Sequence, residues 1–78
     1  MVNTPVAEKV EAQVTVNINE ADAEKLAEVL DGIGLSRAEA IVQYRTEYGR
    51  FSSAEELSAV RGIGTATVAK NESKINVK

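Results

Sequence analysis

The sequence of 78 residues contains no cysteine and no histidine, and its aromatic residues are two tyrosines and one phenylalanine. The absence of cysteine excludes disulfide bonds and thiolate metal sites. Without histidine, the chain has no histidine-based catalytic triad and no ordinary proton shuttle near neutral pH. A metal site would need oxygen ligands alone, and no segment has the spacing of a calcium-binding loop. These absences weigh against catalysis.

Long apolar runs are also missing. No stretch approaches the roughly 20 apolar residues that cross a bilayer, and the N-terminus lacks the basic region and apolar core of a signal peptide. A chain of this length buries only about 60 to 65% of its unfolded surface, which is too little to divide between two cores. We therefore expect one small domain, with no transmembrane segment or signal peptide in this chain.

The formal net charge of −3 is unexpected for a protein that binds nucleic acid, because such proteins usually carry an excess of lysine and arginine. The charge is unevenly distributed, however. Residues 1–31 contain two basic and seven acidic residues, a balance of −5, whereas residues 32–78 contain seven basic and five acidic residues, a balance of +2. The more positive part contains or borders the repeated turn described next.

A short turn occurs twice, at an offset of 30 residues. Residues 30–34 have the sequence Leu-Asp-Gly-Ile-Gly, and residues 60–64 have the sequence Val-Arg-Gly-Ile-Gly. The glycines allow a sharp bend and a close approach to the main chain, and each isoleucine can anchor its turn in a core. A tight turn before a helix leaves unpaired N–H groups beside the positive end of the helix dipole, where anions bind. Two such turns at a fixed separation predict contact with a phosphate backbone.

Apolar spacing around the turns predicts an all-α domain with internal pseudo-two-fold symmetry. Asn19 or Asp22 can cap the first helix, and Gly49 is a typical residue after the end of the second. The first predicted helix ends at about Leu30. The other three cover about 35–48, 54–60 and 65–71.

The two ends of the chain carry different expectations. Residues 1–13 are predicted to be a flexible leader before a domain at 14–78. The alternating apolar residues at 14–18 and 75–77 predict a small two-stranded contact.

Arg45 is expected to cover the core with its stem while its charge stays in water, and Arg50, Lys74 and Lys78 are expected to be solvated. Core or boundary packing is favoured over base stacking for the three aromatic residues, which are Tyr44, Tyr48 and Phe51.

The two turns, with Tyr44-Arg45 and Gly49-Arg50-Phe51 between them, resemble the tandem helix-hairpin-helix domain of the ComEA family of competence proteins. The resemblance covers about residues 14–78 and implies four short helices in a SAM-domain-like bundle. It also implies a non-catalytic receptor, periplasmic or membrane-associated, that binds double-stranded DNA without reading its sequence. The implied biological process is DNA uptake in natural transformation. Other proteins of the uptake machinery would be further partners, and no small-molecule substrate is expected.

The resemblance assigns the DNA contacts to hairpin amides, to the first turn of each following helix and to nearby cations. No cofactor is expected, although some relatives allow a monovalent cation on the hairpin carbonyls. Asp31, Leu35 and Ala66 depart from the family pattern and predict weaker binding than in a typical member. The candidate DNA-binding residues are Gly32, Ile33, Gly34, Ser36, Arg37, Arg61, Gly62, Ile63, Gly64, Thr65, Ala66, Thr67 and Lys70.

Three functions remain open from the residues themselves. The first is sequence-independent binding of duplex DNA, since the predicted exposed helices lack the Arg, Asn and Gln clusters that read the major groove. The second is a protein-interaction module in which the glycines only permit tight turns. The third is an enzyme, such as a DNA glycosylase fragment, and it is the least supported because so short a chain cannot enclose a catalytic cleft.

Overall fold

The computed structural model describes residues 14–78, which are mostly helical, so the predicted leader at 1–13 lies outside the described residues. Three α-helices and two 3₁₀ helices, labelled η, lie between two short strands in this part of the chain. The predicted all-α class, with four main helical segments, is confirmed. The elements in order are β1 (Val16–Asn17), α1 (Ala23–Val29), α2 (Leu35–Tyr48), η1 (Ala54–Ala59), α3 (Thr65–Asn71), η2 (Glu72–Lys74) and β2 (Ile75–Asn76).

The helices begin in two different ways. Helix α1 has a side-chain cap, because the Asp22 carboxylate accepts a hydrogen bond of 2.9 Å from the Lys25 backbone N–H. Helices α2 and α3 instead follow Gly34 and Gly64, and neither glycine can supply a capping side chain. Helix α2 ends at Tyr48 and is followed by the capping residue Gly49, whose φ of 99° lies in the left-handed region that favours glycine. The predicted bounds of α2 are therefore confirmed.

The third predicted helix, over about 54–60, is present as the 3₁₀ helix η1. Its turns are closed by i→i+3 hydrogen bonds, such as Val60 N–H to the Leu57 carbonyl oxygen at 3.0 Å. The segment is six residues long and buries Leu57 alone, so it has no apolar stripe that would favour a longer α-helix. The Ser53 side chain makes no capping bond, and the Glu56 carboxylate accepts from the Ser52 backbone N–H instead.

One apolar core joins all the main elements. Phe51 is buried in it and stacks on Tyr44 at a centroid distance of 5.3 Å, whereas Tyr48 is 71% exposed. In α3 the inward apolar residue is Val68, whereas Ala66 and Ala69 are exposed. The buried apolar residues are Val16, Ile18, Leu26, Val29, Leu30, Ile33, Ala38, Ile41, Phe51, Leu57, Val60, Ile63 and Val68.

The predicted contact between the two ends of the domain is confirmed. Strands β1 and β2 pair in parallel, with Val16 opposite Ile75. Asn19 supports this end of the molecule, because its side chain accepts from the Phe51 N–H at 2.6 Å and donates to the Phe51 carbonyl at 3.1 Å. Arg45 donates through Nη1 to the Ile18 carbonyl at 2.8 Å, so its charged group is not simply solvated as expected. Within residues 14–78, no helix is long and apolar enough to span a bilayer.

Candidate nucleic-acid interface

The two glycine turns, residues 30–34 and 60–64, are hairpins of the same backbone form. Gly32 and Gly62 have φ values of 79° and 87°, in the left-handed region where a side chain is costly. Gly34 and Gly64 have extended backbones, with φ values of −79° and −95°. The sequence repeat is therefore also a structural repeat, and the first glycine of each copy is required by its conformation.

Each hairpin turns its isoleucine inward and its second glycine outward. Ile33 and Ile63 are each 3% exposed, which confirms their predicted role as anchors. A Cβ atom added to Gly34 or Gly64 would meet nothing within 4 Å, so the main chain is open to an outside group at both positions. Any contact made by the two isoleucines must go through their backbone.

The first-turn N–H groups after each hairpin have no partner among residues 14–78. The earliest backbone bonds run from Ala38 N–H to the Gly34 carbonyl at 2.9 Å and from Val68 N–H to the Gly64 carbonyl at 3.1 Å. No side chain caps α2 or α3, whereas α1 has the Asp22 cap. Both hairpins therefore present open backbone donors, which is the arrangement that binds anions.

Two cations reach from the helix after one hairpin towards the other hairpin. Arg37, in the first turn of α2, donates from Nε to the Gly62 carbonyl at 2.7 Å. Lys70, in α3, lies over the first hairpin, with its Nζ atom 3.4 Å from the position of a Cβ added to Gly32. Each cation thus belongs to the helix that follows one hairpin and lies beside the other hairpin. The two hairpins are consequently neighbours in the structure.

Asn71 is a polar residue in the interior, and the sequence analysis missed it. It is 1% exposed, and its Oδ1 atom accepts from the Asp31 N–H at 2.7 Å. Its Nδ2 atom donates to the carbonyl oxygens of Asp31 and Thr67, both at 2.9 Å. Ile41, 30 residues earlier, occupies the equivalent place in α2 and is fully buried. Aligning the two halves at the offset of 30 residues places this asparagine opposite an apolar residue of the predicted core. That mismatch was the sequence signal that could have identified Asn71.

The carboxylate beside the first hairpin is paired. Lys74 Nζ lies 2.9 Å from Asp31 Oδ2, so the expectation that Lys74 is simply solvated was wrong. This hydrogen bond and the Lys74 charge lower the pKa of the Asp31 carboxyl group below its ordinary 3.8, with a smaller contribution from Lys70. Lys74 therefore offsets the negative charge that Asp31 places near the interface. No group of three or more carboxylates in residues 14–78 is arranged to hold a metal ion.

A shallow groove brings several candidate residues together between α2 and the second hairpin. Ser36, Arg37, Ala40, Arg61 and Gly62 line it. Of the remaining candidates, the anchors Ile33 and Ile63 are buried and Thr67 is half-buried; the exposed ones are Gly32, Gly34, Gly64, Thr65, Ala66 and Lys70.

Two helix-hairpin-helix units, whose uncapped glycine hairpins are neighbours, define the class of tandem helix-hairpin-helix domains. Comparison with known proteins agrees, since residues 11–76 match the helix-hairpin-helix motif family. The chain belongs to this family, and the ComEA-like character that its motifs predicted is confirmed.

Two relatives carry the comparison further. An uncharacterized protein of Haemophilus influenzae is 47% identical over 90% of this chain and 69% of its own length. The ComE operon protein 1 of Bacillus subtilis is 48% identical over 81% of this chain and 30% of its own length. The chain thus spans less than a third of the second relative, and the similarity concerns that part alone.

Proposed function

We propose that this domain binds double-stranded DNA through backbone phosphates, without reading base sequence, as a non-catalytic receptor in DNA uptake during natural transformation. Membership of the helix-hairpin-helix family and similarity to ComE operon protein 1 support DNA binding in competence as the general function. A receptor of this kind works outside the cytoplasm, in the periplasm or at a membrane, beside other uptake proteins.

The observation that carries the proposal is the pair of neighbouring, uncapped hairpins. Their second glycines, Gly34 and Gly64, leave the main chain open, and the first turns that follow have unpartnered N–H groups within residues 14–78. Backbone donors of this kind bind phosphate oxygens without regard to base identity. Because the hairpins are neighbours, one duplex can contact both.

Cationic and hydroxyl side chains supplement the amides. The Nε atom of Arg37 is held by the Gly62 carbonyl, so its guanidinium group has a fixed position while its two Nη groups can donate to a phosphate. Ser36 and Thr65 are exposed in the first turns of α2 and α3 and add hydroxyl donors. The contacts proposed are therefore to phosphates, which position a duplex but carry no sequence information.

Fluorescence anisotropy with a labelled duplex at several salt concentrations tests the proposal. If three to five phosphates are contacted, the logarithm of the affinity should fall with the logarithm of salt concentration at a slope of about −3 to −5. Two duplexes of unrelated sequence should bind equally. A slope near zero would refute phosphate binding.

A protein-interaction role gives a different result in a second test. The double variant Arg37→Glu, Thr67→Glu adds two carboxylates to the proposed interface and should abolish duplex binding. Capture of a protein partner by this variant at the wild-type level, in nuclease-treated extract, would favour an interaction module.

A further inference from the structure

We propose that Asn71 is a positioning residue for DNA binding, which locks the first hairpin to the helix after the second hairpin. Through this lock, the two hairpins present their phosphate-binding donors at a fixed separation. The role rests on the proposed function, because it concerns how well a duplex contacts both hairpins at once.

The hydrogen bonds of Asn71 join the two halves of the domain. Its carboxamide bonds both the N–H and the C=O of Asp31, the residue immediately before Gly32. The second hydrogen on Nδ2 is donated to the carbonyl of Thr67, in the first turn of α3. Both amide hydrogens and the carbonyl oxygen are thus used, and no buried side-chain polar atom in residues 14–78 lacks a partner.

Packing alone does not account for an asparagine at this position. The equivalent position in the first half is Ile41, which is fully buried in the same core. An apolar residue would fill such a position without the desolvation that a carboxamide suffers on burial. The asparagine is favourable only because its hydrogen bonds hold the hairpin backbone, whose own polar groups would otherwise lose their partners.

The two hairpins are secured by different means. The second hairpin is held at the surface by Arg37, a charged residue that is itself a candidate phosphate contact. The first hairpin is held from below by Asn71, which is buried and cannot contact DNA. Replacing Asn71 should therefore make the first hairpin less ordered without removing any group that contacts the duplex.

Asn19 offers a matched control for this test. Like Asn71, it bonds both the N–H and the C=O of one residue, Phe51, and donates a further bond to a backbone carbonyl, that of Val77. It lies beside the paired strands and not beside the hairpins. Asn71→Leu and Asn19→Leu remove comparable hydrogen bonds, so a general loss of stability affects both variants.

The experiment compares wild type, Asn71→Leu and Asn19→Leu at a temperature where thermal denaturation shows all three fully folded. Asn71→Leu should weaken duplex binding by about five- to tenfold, because the first hairpin must be ordered when it binds. The salt slope should become shallower by about 0.9 if one phosphate contact is lost. Asn19→Leu should bind within about twofold of wild type with the same slope, since lost stability alone does not alter the slope of a folded protein.

Amide hydrogen exchange of the free protein gives an independent measurement. In wild type, the Asp31 amide should exchange as slowly as core amides, and Asn71→Leu should accelerate exchange at residues 31–34, whereas Asn19→Leu should not. Fast exchange of the Asp31 amide in wild type would refute the proposal that Asn71 holds the first hairpin in place. This result would count even if Asn71→Leu fails to fold.

The outcomes separate this inference from the function on which it rests. If wild type binds duplex and the two leucine variants have equal affinity and slope, the positioning role is wrong and the proposed function stands. If wild type binds no duplex at any salt concentration, the proposed function fails, and the role of Asn71 in DNA binding fails with it.

Discussion

Replacing Arg37 tests the interface most directly, because its charge and its hydrogen bond can be removed separately. Arg37→Gln removes the positive charge and the Nε donor that bonds the Gly62 carbonyl at 2.7 Å. Arg37→Lys keeps the charge and loses the same bond, because an ammonium group cannot reproduce the geometry of the guanidinium fork. The two variants should therefore differ in the salt dependence of duplex binding.

The expected magnitudes follow from these two contributions. One phosphate contact contributes about 0.9 to the salt slope, which is about eightfold in affinity between 1 M and 0.1 M salt. The hydrogen bond also holds the second hairpin beside α2, and a hairpin that has lost it must be ordered when a duplex binds. Its loss should therefore cost about 0.5 to 1 kcal/mol of binding free energy, or two- to fivefold in affinity. At about 0.1 M salt, Arg37→Lys should bind about two- to fivefold more weakly with an unchanged slope, and Arg37→Gln about 15- to 40-fold more weakly with a shallower slope.

Arg50→Gln is the control for charge. It changes the net charge by the same amount, but Arg50 lies beyond the other end of α2, about 20 Å away along the helix axis at 1.5 Å per residue, and bonds the Lys78 carbonyl. Anisotropy should show affinity within about twofold of wild type and the wild-type slope, since an exposed charge at this distance is screened. Equal slope changes for Arg37→Gln and Arg50→Gln would show that binding follows net charge, and would refute a localised hairpin site.

Four further substitutions test the backbone form, the ion pair and the helix cap. Gly62→Ala should reduce the free energy of unfolding in urea by about 1 to 2 kcal/mol, because Gly62 has a positive φ. Gly64→Ala adds a Cβ in open space, so this variant should be as stable as wild type but bind duplex more weakly. Asp31→Asn should lower Tm at neutral pH, and this difference should disappear as the pH falls below 3.8, because Lys74 lowers the pKa of the folded-state carboxyl group. Asp22→Ala removes the cap of α1 and should cost about 1 kcal/mol in urea denaturation without changing duplex affinity.

Each of these expectations has a contrary result. Equal urea midpoints for Gly62→Ala and Gly64→Ala would contradict the need for glycine at a positive φ. A Tm difference for Asp31→Asn that persists in acid would show that the carboxylate charge is not its cause. Weaker duplex binding by a fully folded Asp22→Ala protein would show that the interface extends beyond the two hairpins.

Local sequence signals determined much of the fold and therefore allowed its prediction. Helix α2 lies between Gly34 and Gly49, and its apolar residues repeat at helical spacing, so both of its ends were predictable. The two hairpins were predictable because the same five-residue pattern occurs twice. The type of the third helix was not, since a segment with one buried side chain has no periodicity that separates a 3₁₀ helix from an α-helix.

The contacts that organise the interface depend on tertiary structure. Arg37 and Gly62 are 25 residues apart, and Asp31 and Asn71 are 40 residues apart. Spacing within one helix says nothing about such pairs, because the packing of the two halves brings them together. The site residues themselves stay predictions until their contacts with DNA are measured.

The glycines that precede α2 and α3 have a consequence for protein engineering. The backbones of Gly34 and Gly64 are extended, as a capping residue requires, so Asp or Ser fits there and would raise stability by a few tenths of a kcal/mol. A stabilisation screen would therefore accept these substitutions readily. The new carboxylate or hydroxyl would take the amide hydrogens that we propose bind phosphate. Selection for heat resistance alone would then yield a more stable domain with weaker duplex binding.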